Sequence, residues 1–170
     1  MREIHCKVKL YNPKGAWGQT AVLSLPRAES KKLPSRGMVL VNGTFNRIPF
    51  AAVLEPDGLG SHWFKPKNSL LKKSDTKIGS MVTLKFKPNQ DWPEPKIPTD
   101  WEKALKKDAA ARSVWQTLTP MARWDWIRWI SSAKQQGTRT RRVDVACSKL
   151  KGGKRRPCCF DRTQCTLTDA

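Results

Sequence analysis

Four prolines fall within eleven residues in the stretch PNQDWPEPKIP, 88–98. Proline lacks the N–H that a helix interior or a sheet ladder needs, and it biases the preceding residue toward extended backbone. No regular element can run through such a stretch. The apolar residues repeat with period two before it and with helical spacing after it. The stretch therefore reads as an extended linker, 89–98, between two parts of different architecture.

The first part, 1–88, is patterned for strands. In REIHCKVKLY (2–11), Ile4, Cys6, Val8 and Leu10 alternate with Glu3, His5, Lys7 and Lys9, as in a half-buried strand. GQTAVLSL (18–25) continues the pattern. MVLVNGTF (38–45) and IPFAAVLEP (48–56) flank Asn46-Arg47, which predicts a hairpin or tight bend. SHWFKP (61–66) and SMVTLKFKP (80–88) complete the set, and in the latter Val82, Leu84 and Phe86 alternate with Thr83, Lys85 and Lys87. Short strands separated by Gly/Pro turns predict a small β-barrel.

The second part, 99–153, predicts a bundle of three to four helices, which makes the fold class α+β. Thr99 and Glu102 fit a capping box, opening a helix to about Lys107. Asp108 can cap a second helix with Ala111, Val114, Trp115 and Leu118 on one face. Thr119 as N-cap and Pro120 at the first helical position start a third. That helix carries Trp126, Trp129, Ile130 and Ala133 as its stripe, and Gly137 is expected to end it. Thr138 would cap a fourth, with Val143, Ala146, Cys147 and Leu150 inward and Gly152-Gly153 as its stop. Residues 154–170 form a basic, Cys-containing tail.

Charge narrows the partners. Thirty-three Lys and Arg against 14 Asp and Glu give a net charge of +19, shared almost evenly by the two parts. Such a chain attracts polyanions. No apolar run approaches the roughly 20 residues of a membrane helix, and no secretory leader is visible. A cytoplasmic protein with reduced thiols is the expectation, and five cysteines cannot all pair. In the tail, Cys158 and Cys159 are adjacent and Cys165 stands alone, with no His between them. Zinc favours Cys pairs two to four residues apart, so the pattern points away from a metal. It suits an apolar turn of Pro157, Cys158, Cys159 and Phe160 on a wet Lys154-Arg155-Arg156 stem. No Walker loop, nucleophile elbow or metalloprotease motif appears, so no cofactor and no catalytic set is expected.

Two regions stand out as binding candidates. In EPDGLGSHWF (55–64), Gly58 and Gly60 allow a tight loop before His62. With Arg36, Asn42 and Asn46 nearby on the strands, they suggest a cleft for a small anionic ligand. The competing reading makes Asn42-Gly43 and Asn46-Arg47 ordinary turn residues. The second region, 134–156, carries nine Lys and Arg against one Asp. Arg139 and Arg142 can share a helix face and grip phosphate or carboxylate. With Lys134, Arg141, Lys149, Lys151, Lys154, Arg155 and Arg156 they form a candidate nucleic-acid arm. The competing reading is a solvated basic helix, or arginines docked on the barrel and its carboxylates. In RWDWIRW (123–129), Trp126 and Trp129 lie on the apolar stripe and read as core, while Trp124 falls off it and should be partly exposed.

The order of motifs is specific: RG-x-V-x-VNGT-x-N-x-x-PF (36–50), P-DG-x-GSHW (56–63), P-x-DWEKAL (98–105), L-TP-x-x-R (118–123), WI-x-x-AK (129–134), TR-x-RR (138–142) and GKRRPCC (153–159). It resembles a bacterial family with an N-terminal domain of unknown function 1905 and a C-terminal YdeI/OmpD-associated, bacteriocin-protection type of helical region. The resemblance implies a double-split, AbrB-like barrel, and some AbrB-like proteins bind DNA as dimers. It implies a link to envelope stress and to resistance against cationic antibacterial peptides. It carries over no catalytic residue. The chain departs from the family at Gly137, where Glu is common, and at Gly79-Ser80, where Gly-Asp is common.

These readings converge on a non-enzymatic, cytoplasmic binding protein of a stress-resistance family, monomer or dimer. Its anion-accepting cleft would use Arg36, Asn42, Asn46, Gly58, Gly60 and His62, with Arg139 and Arg142 closing it. The alternative is a nucleic-acid-binding protein using the basic helix and tail. A weaker alternative is an enzyme using His62 or a free Cys.

Overall fold

The computed structural model describes residues 3–13, 21–133 and 135–157. These fall into two compact units, one ending at Asp91 and the other beginning at Trp92.

The first unit is a nearly closed, six-stranded antiparallel barrel. Its strands are β1 (Ile4–Lys9), β2 (Leu23–Ser24), β3 (Val39–Phe45), β4 (Ile48–Pro56), β5 (His62–Phe64) and β6 (Met81–Pro88), in the order β1-β6-β3-β4-β5-β2. Just past β1, Tyr11 and Val22 exchange both backbone hydrogen bonds, at 3.1 and 2.9 Å, and bring the last strand back to the first. The Tyr11 hydroxyl and Ser24 Oγ, 2.7 Å apart, reinforce the join. The alternation read in β1 and β6 is the burial pattern found. Ile4, Val8, Val82, Leu84 and Phe86 line the interior with Leu10, Val41, Phe45, Leu54 and Phe64, while the lysines between them are exposed.

Two details fix the register. Phe45 pairs with Ile48 across a two-residue turn in which Asn46 (φ 47°) and Arg47 (φ 70°) are both left-handed. Asn46 tolerates this conformation, and its side chain is used as well. Its Oδ1 accepts from Thr83 N at 2.9 Å, and its Nδ2 donates to Thr76 Oγ1 at 3.2 Å. Asn42-Gly43, by contrast, is no turn: both residues lie inside β3. At Gly43, β3 and β6 lie too close for a side chain. A Cβ there would sit 1.9 Å from the Lys85 carbonyl oxygen and 2.6 Å from Phe86 Cα.

Two short helices were not anticipated, α1 (Arg27–Ser30) and α2 (Asn68–Lys73). Neither is long enough to show a helical period. Leu70 and Leu71 of α2 are half-buried against the barrel core.

The second unit contains α3 (Thr99–Lys107), α4 (Ala109–Gln116), α5 (Pro120–Ser131) and α6 (Gln136–Lys151). Trp101, Trp115, Trp126, Ile130, Ala146 and Leu150 are at the centre of its core. Trp101 and Trp115 meet edge to face, with ring centroids 5.5 Å apart. Asp108 caps α4 by accepting from Ala111 N at 3.1 Å, and Thr119 caps α5 by accepting from Ala122 N at 3.3 Å, as read. The expected capping box of α3 does not form. Pro98 occupies the N-cap position, and its carbonyl accepts from Glu102 N at 2.8 Å. Nor does Gly137 end α5. That helix stops at Ser131, and Gly137 lies in the first turn of α6, which Gln135 precedes without a side-chain cap.

The proline-rich stretch is free of helix and strand over 89–98, but it is not a loose spacer. Asn89 N donates to Leu40 O at 2.8 Å in the barrel. In the helical unit, Trp124 Nε1 donates to Pro93 O at 3.0 Å, Glu94 pairs with Arg123 at 2.6 Å, and Trp92 packs edge to face on Trp124.

Replacing Gly43 with Ala should force β3 and β6 apart and cost about 3 kcal/mol, the upper range for overpacking. Gly137→Ala meets nothing within 4 Å and removes backbone freedom from the unfolded chain, so a gain of about 0.5 kcal/mol is expected. Urea midpoints of the two variants against the parent measure both.

Candidate functional site

The P-DG-x-GSHW segment forms the loop between β4 and β5. Asp57 accepts through Oδ1 from Leu59 N at 2.8 Å and from Ser61 N at 2.7 Å. Gly58 (φ 73°) and Gly60 (φ 92°) supply the left-handed residues that such a turn needs. Two arginines cap its outward carbonyls: Arg27 Nη2 donates to Leu59 O at 2.5 Å, and Arg36 Nη1 to Gly60 O at 3.3 Å.

His62 follows, and only 1% of it is exposed. Its Nδ1 lies 2.7 Å from Ser30 Oγ and its Nε2 lies 2.8 Å from Gly37 O. A carbonyl only accepts, so Nε2 carries the proton and Nδ1 accepts from the Ser30 hydroxyl. The ring is a neutral bridge between β5 and the chain segment from α1 to β3. Next to it, Ser61 Oγ donates to Leu25 O at 2.7 Å, and Leu25 N to His62 O at 2.8 Å. Burial lowers the His62 pKa from 6.5, outweighing the Gly37 carbonyl and the Asp57 charge, which raise it; Arg36 lowers it further.

The structure therefore brings Arg36, Gly58, Gly60 and His62 together around one loop. Asn42 is exposed on β3, and Asn46 occupies the hairpin turn. Arg139 and Arg142 belong to the helical unit and have partners there. Arg139 grips Asp100 with two bonds, Nε–Oδ2 at 2.6 Å and Nη2–Oδ1 at 2.9 Å, tying α6 to α3. The guanidinium holds the Asp100 carboxyl below the usual carboxylate range. Arg142 Nη1 donates to Trp129 O at 2.6 Å and to Ser132 Oγ at 2.7 Å, capping the end of α5. Its guanidinium carbon lies 5.4 Å from the Trp129 ring centre.

The other members of the basic arm divide similarly. Lys151 pairs with Asp108 at 3.1 Å, Arg156 lies 3.7 Å from buried Asp125, and Arg155 Nη2 donates to Thr117 O at 2.6 Å. Lys149 is half-buried, and Arg141 and Lys154 are exposed. Lys134, Cys158, Cys159 and Cys165 lie outside the described residues. Trp126 is buried and Trp129 and Trp124 are half-buried, so the RWDWIRW aromatics belong to the packing of α5. Among the described residues, no cluster of His, Cys, Asp and Glu could hold a metal, and no helix is long and apolar enough to cross a membrane.

Alternation alone marks the exposed lysines of β1 and β6 as the wet side of two strands. The pairing of those strands makes Lys7, Lys9, Lys85 and Lys87 neighbours on one barrel face.

The unfolded chain takes up a proton at His62 near its ordinary pKa of 6.5, which the folded chain resists. This contribution to stability is complete above that pH and is lost as the pH falls below it. Melting temperature should therefore drop on acidification from about pH 7.5 to about pH 5.5. His62→Gln should melt lower at the upper pH and show a flatter profile. Parallel pH profiles for parent and variant would contradict the neutral bridge.

Residues 7–86 match a family model described as Domain of unknown function (DUF1905). Residues 94–153 match one described as Bacteriocin-protection, YdeI or OmpD-Associated. No curated protein matches the chain. The chain thus has the two-part arrangement in which a DUF1905 domain, at 7–86, precedes a bacteriocin-protection, YdeI or OmpD-associated region, at 94–153.

Proposed function

We propose that the chain is a non-enzymatic binding protein whose partner is a polyanion, nucleic acid foremost. One observation carries this reading. The side chains that looked most like a built anion site, His62, Arg36, Arg139 and Arg142, are engaged within their own units, while exposed lysines hold much of the +19 charge. Non-directional, exposed charge suits a polymer of phosphates better than a single small ion. An enzymatic role has less support. Both His62 nitrogens are occupied, and burial pushes the Cys6 thiol up to about 11, where it is a poor nucleophile. The AbrB-like likeness implied by the family resemblance leans toward nucleic acid as well. The reading keeps the protein in the cytoplasm and leaves the bacteriocin-protection name as the process it would serve.

A second reading places a small anion at the β4–β5 loop. Arg27 and Arg36 converge there on adjacent carbonyls, and a phosphate or carboxylate can compete for both guanidinium groups.

Binding to a labelled oligonucleotide across a salt series tests the first reading. Log affinity should fall linearly against log salt, with binding persisting near physiological salt. Absence of binding at every salt concentration would overturn it. Inorganic phosphate that binds the parent protein and not Arg36→Ala would favour the small-anion reading instead.

A further inference from the structure

The outer face of β1 and β6 carries an ordered row of cations. In the β1–β6 register, His5 stands opposite Lys85, Lys7 opposite Thr83 and Lys9 opposite Met81, with Lys87 one step beyond Lys85. All of these side chains are exposed. Residues two apart on a strand share a face and lie about 7 Å apart. Lys87, Lys85, Lys7 and Lys9 thus occupy four successive levels, crossing diagonally from β6 to β1. The row has one cation per level and spans about 20 Å, three steps of that size.

Its surroundings are polar. On β3, Asn42 pairs with Lys87 and Thr44 with Lys85. Glu3 is the carboxylate beside the row, and it is hydrogen-bonded to His5. Among the described residues, none of the four lysines has a carboxylate partner within ion-pair distance.

We infer that this lysine row is a nucleic-acid-binding site that follows the phosphates of one strand. The one-dimensional spacing carries the inference. A repeat of about 7 Å along a twisted strand pair is close to the phosphate-to-phosphate step of an extended nucleic-acid backbone. Lysine suits this task as a mobile point charge that needs no fixed bidentate geometry. The row itself presents no aromatic ring for base stacking, so contact is with the backbone and is independent of sequence. A lipid surface fits less well: it is a two-dimensional field of charge, and among the described residues Met81 is the exposed large apolar side chain within the β1–β6 pairing.

The inference rests on the polyanion reading and assigns it to the barrel rather than to the basic helix. Four phosphate contacts predict a slope of log affinity against log salt of about −2.8 on a single strand. In the whole 170-residue chain, Lys7→Gln with Lys85→Gln should reduce that slope by about 1.4, since each contact contributes about 0.7. Arg141→Gln with Lys154→Gln, on the other unit, should leave it nearly unchanged. Melting curves check that both double variants fold. The probes are a labelled single-stranded oligonucleotide of mixed sequence, its duplex, and vesicles containing anionic lipid. A parent protein that binds neither oligonucleotide would overturn the polyanion reading itself. Binding lost in the helical variant and kept in the barrel variant would overturn only the location. Barrel-dependent binding to vesicles without binding to oligonucleotides would reassign the row to a membrane surface and overturn the inference.

Discussion

The barrel closes through a strand of two residues, and a buried, neutral histidine is what makes so short a strand sufficient. β2 offers few ladder hydrogen bonds to β5 and joins the β1 end through the Tyr11–Val22 pair. The segment that follows it, through α1 to Gly37, must therefore be held by side chains. His62 does this from both ring nitrogens, and Ser61 adds a third bond to the Leu25 carbonyl. A protonated ring would lose its acceptor at Nδ1 and bring a charge into a site that excludes water. The order His62 imposes on the 25–37 segment thus depends on its remaining neutral. The glycines and Asp57 of the same motif shape the turn that delivers His62 to this position. The most distinctive motif of the N-terminal part is a latch.

The helical unit uses its own distinctive motif in the same way. Asp100 lies at the start of α3 and Arg139 in the first turn of α6, so their two-bond pair connects helix beginnings far apart in sequence. Arg142 satisfies a carbonyl that the end of α5 leaves without an intrahelical donor. Arg155 does the same for Thr117 after α4. These are fork-shaped donors placed where single donors would satisfy less, which is why Lys would not substitute well. Arg139 and Arg142 of the TR-x-RR motif are thus engaged at helix ends, while Arg141 is exposed.

Legibility followed the range of the interaction. Period-two alternation named the inward residues of β1 and β6, and Asp108 and Thr119 announced their helices three residues ahead of the amides they cap. Local chemistry misled where a stronger neighbour competed. Thr99 looked like a cap, but the Pro98 carbonyl takes the Glu102 N–H, and Gly137 looked like a stop, but it is exposed in a first helical turn where a missing side chain costs little. The sequence marks His62 as a cleft residue but not as a buried bridge, because its partners, Ser30 and Gly37, are 32 and 25 positions away. The lysine row was invisible for the same reason. Alternation shows that Lys7 and Lys85 point outward, but only the pairing of β1 with β6 shows that they are neighbours.

That row raises a question of cost. Lysines on a strand with an open edge discourage pairing between molecules, and this suffices for Lys7 and Lys9, since β1 pairs along its length with β6 alone. It does not suffice for Lys85 and Lys87, because β6 is paired on both sides, with β1 and β3. Two cations about 7 Å apart repel by roughly 0.6 kcal/mol in water before salt screening. The cost per pair is small, but it has the same sign at each level, and no acid on the neighbouring strands offsets it beyond Glu3, which His5 already engages. A sheet that anchors four lysines at fixed backbone spacing lowers the cost of binding a linear array of negative charges, because the stems are in register before the partner arrives while the ammonium groups stay mobile. The repulsion stored in the free protein is released when phosphates neutralise the row, so the arrangement favours the bound state twice over.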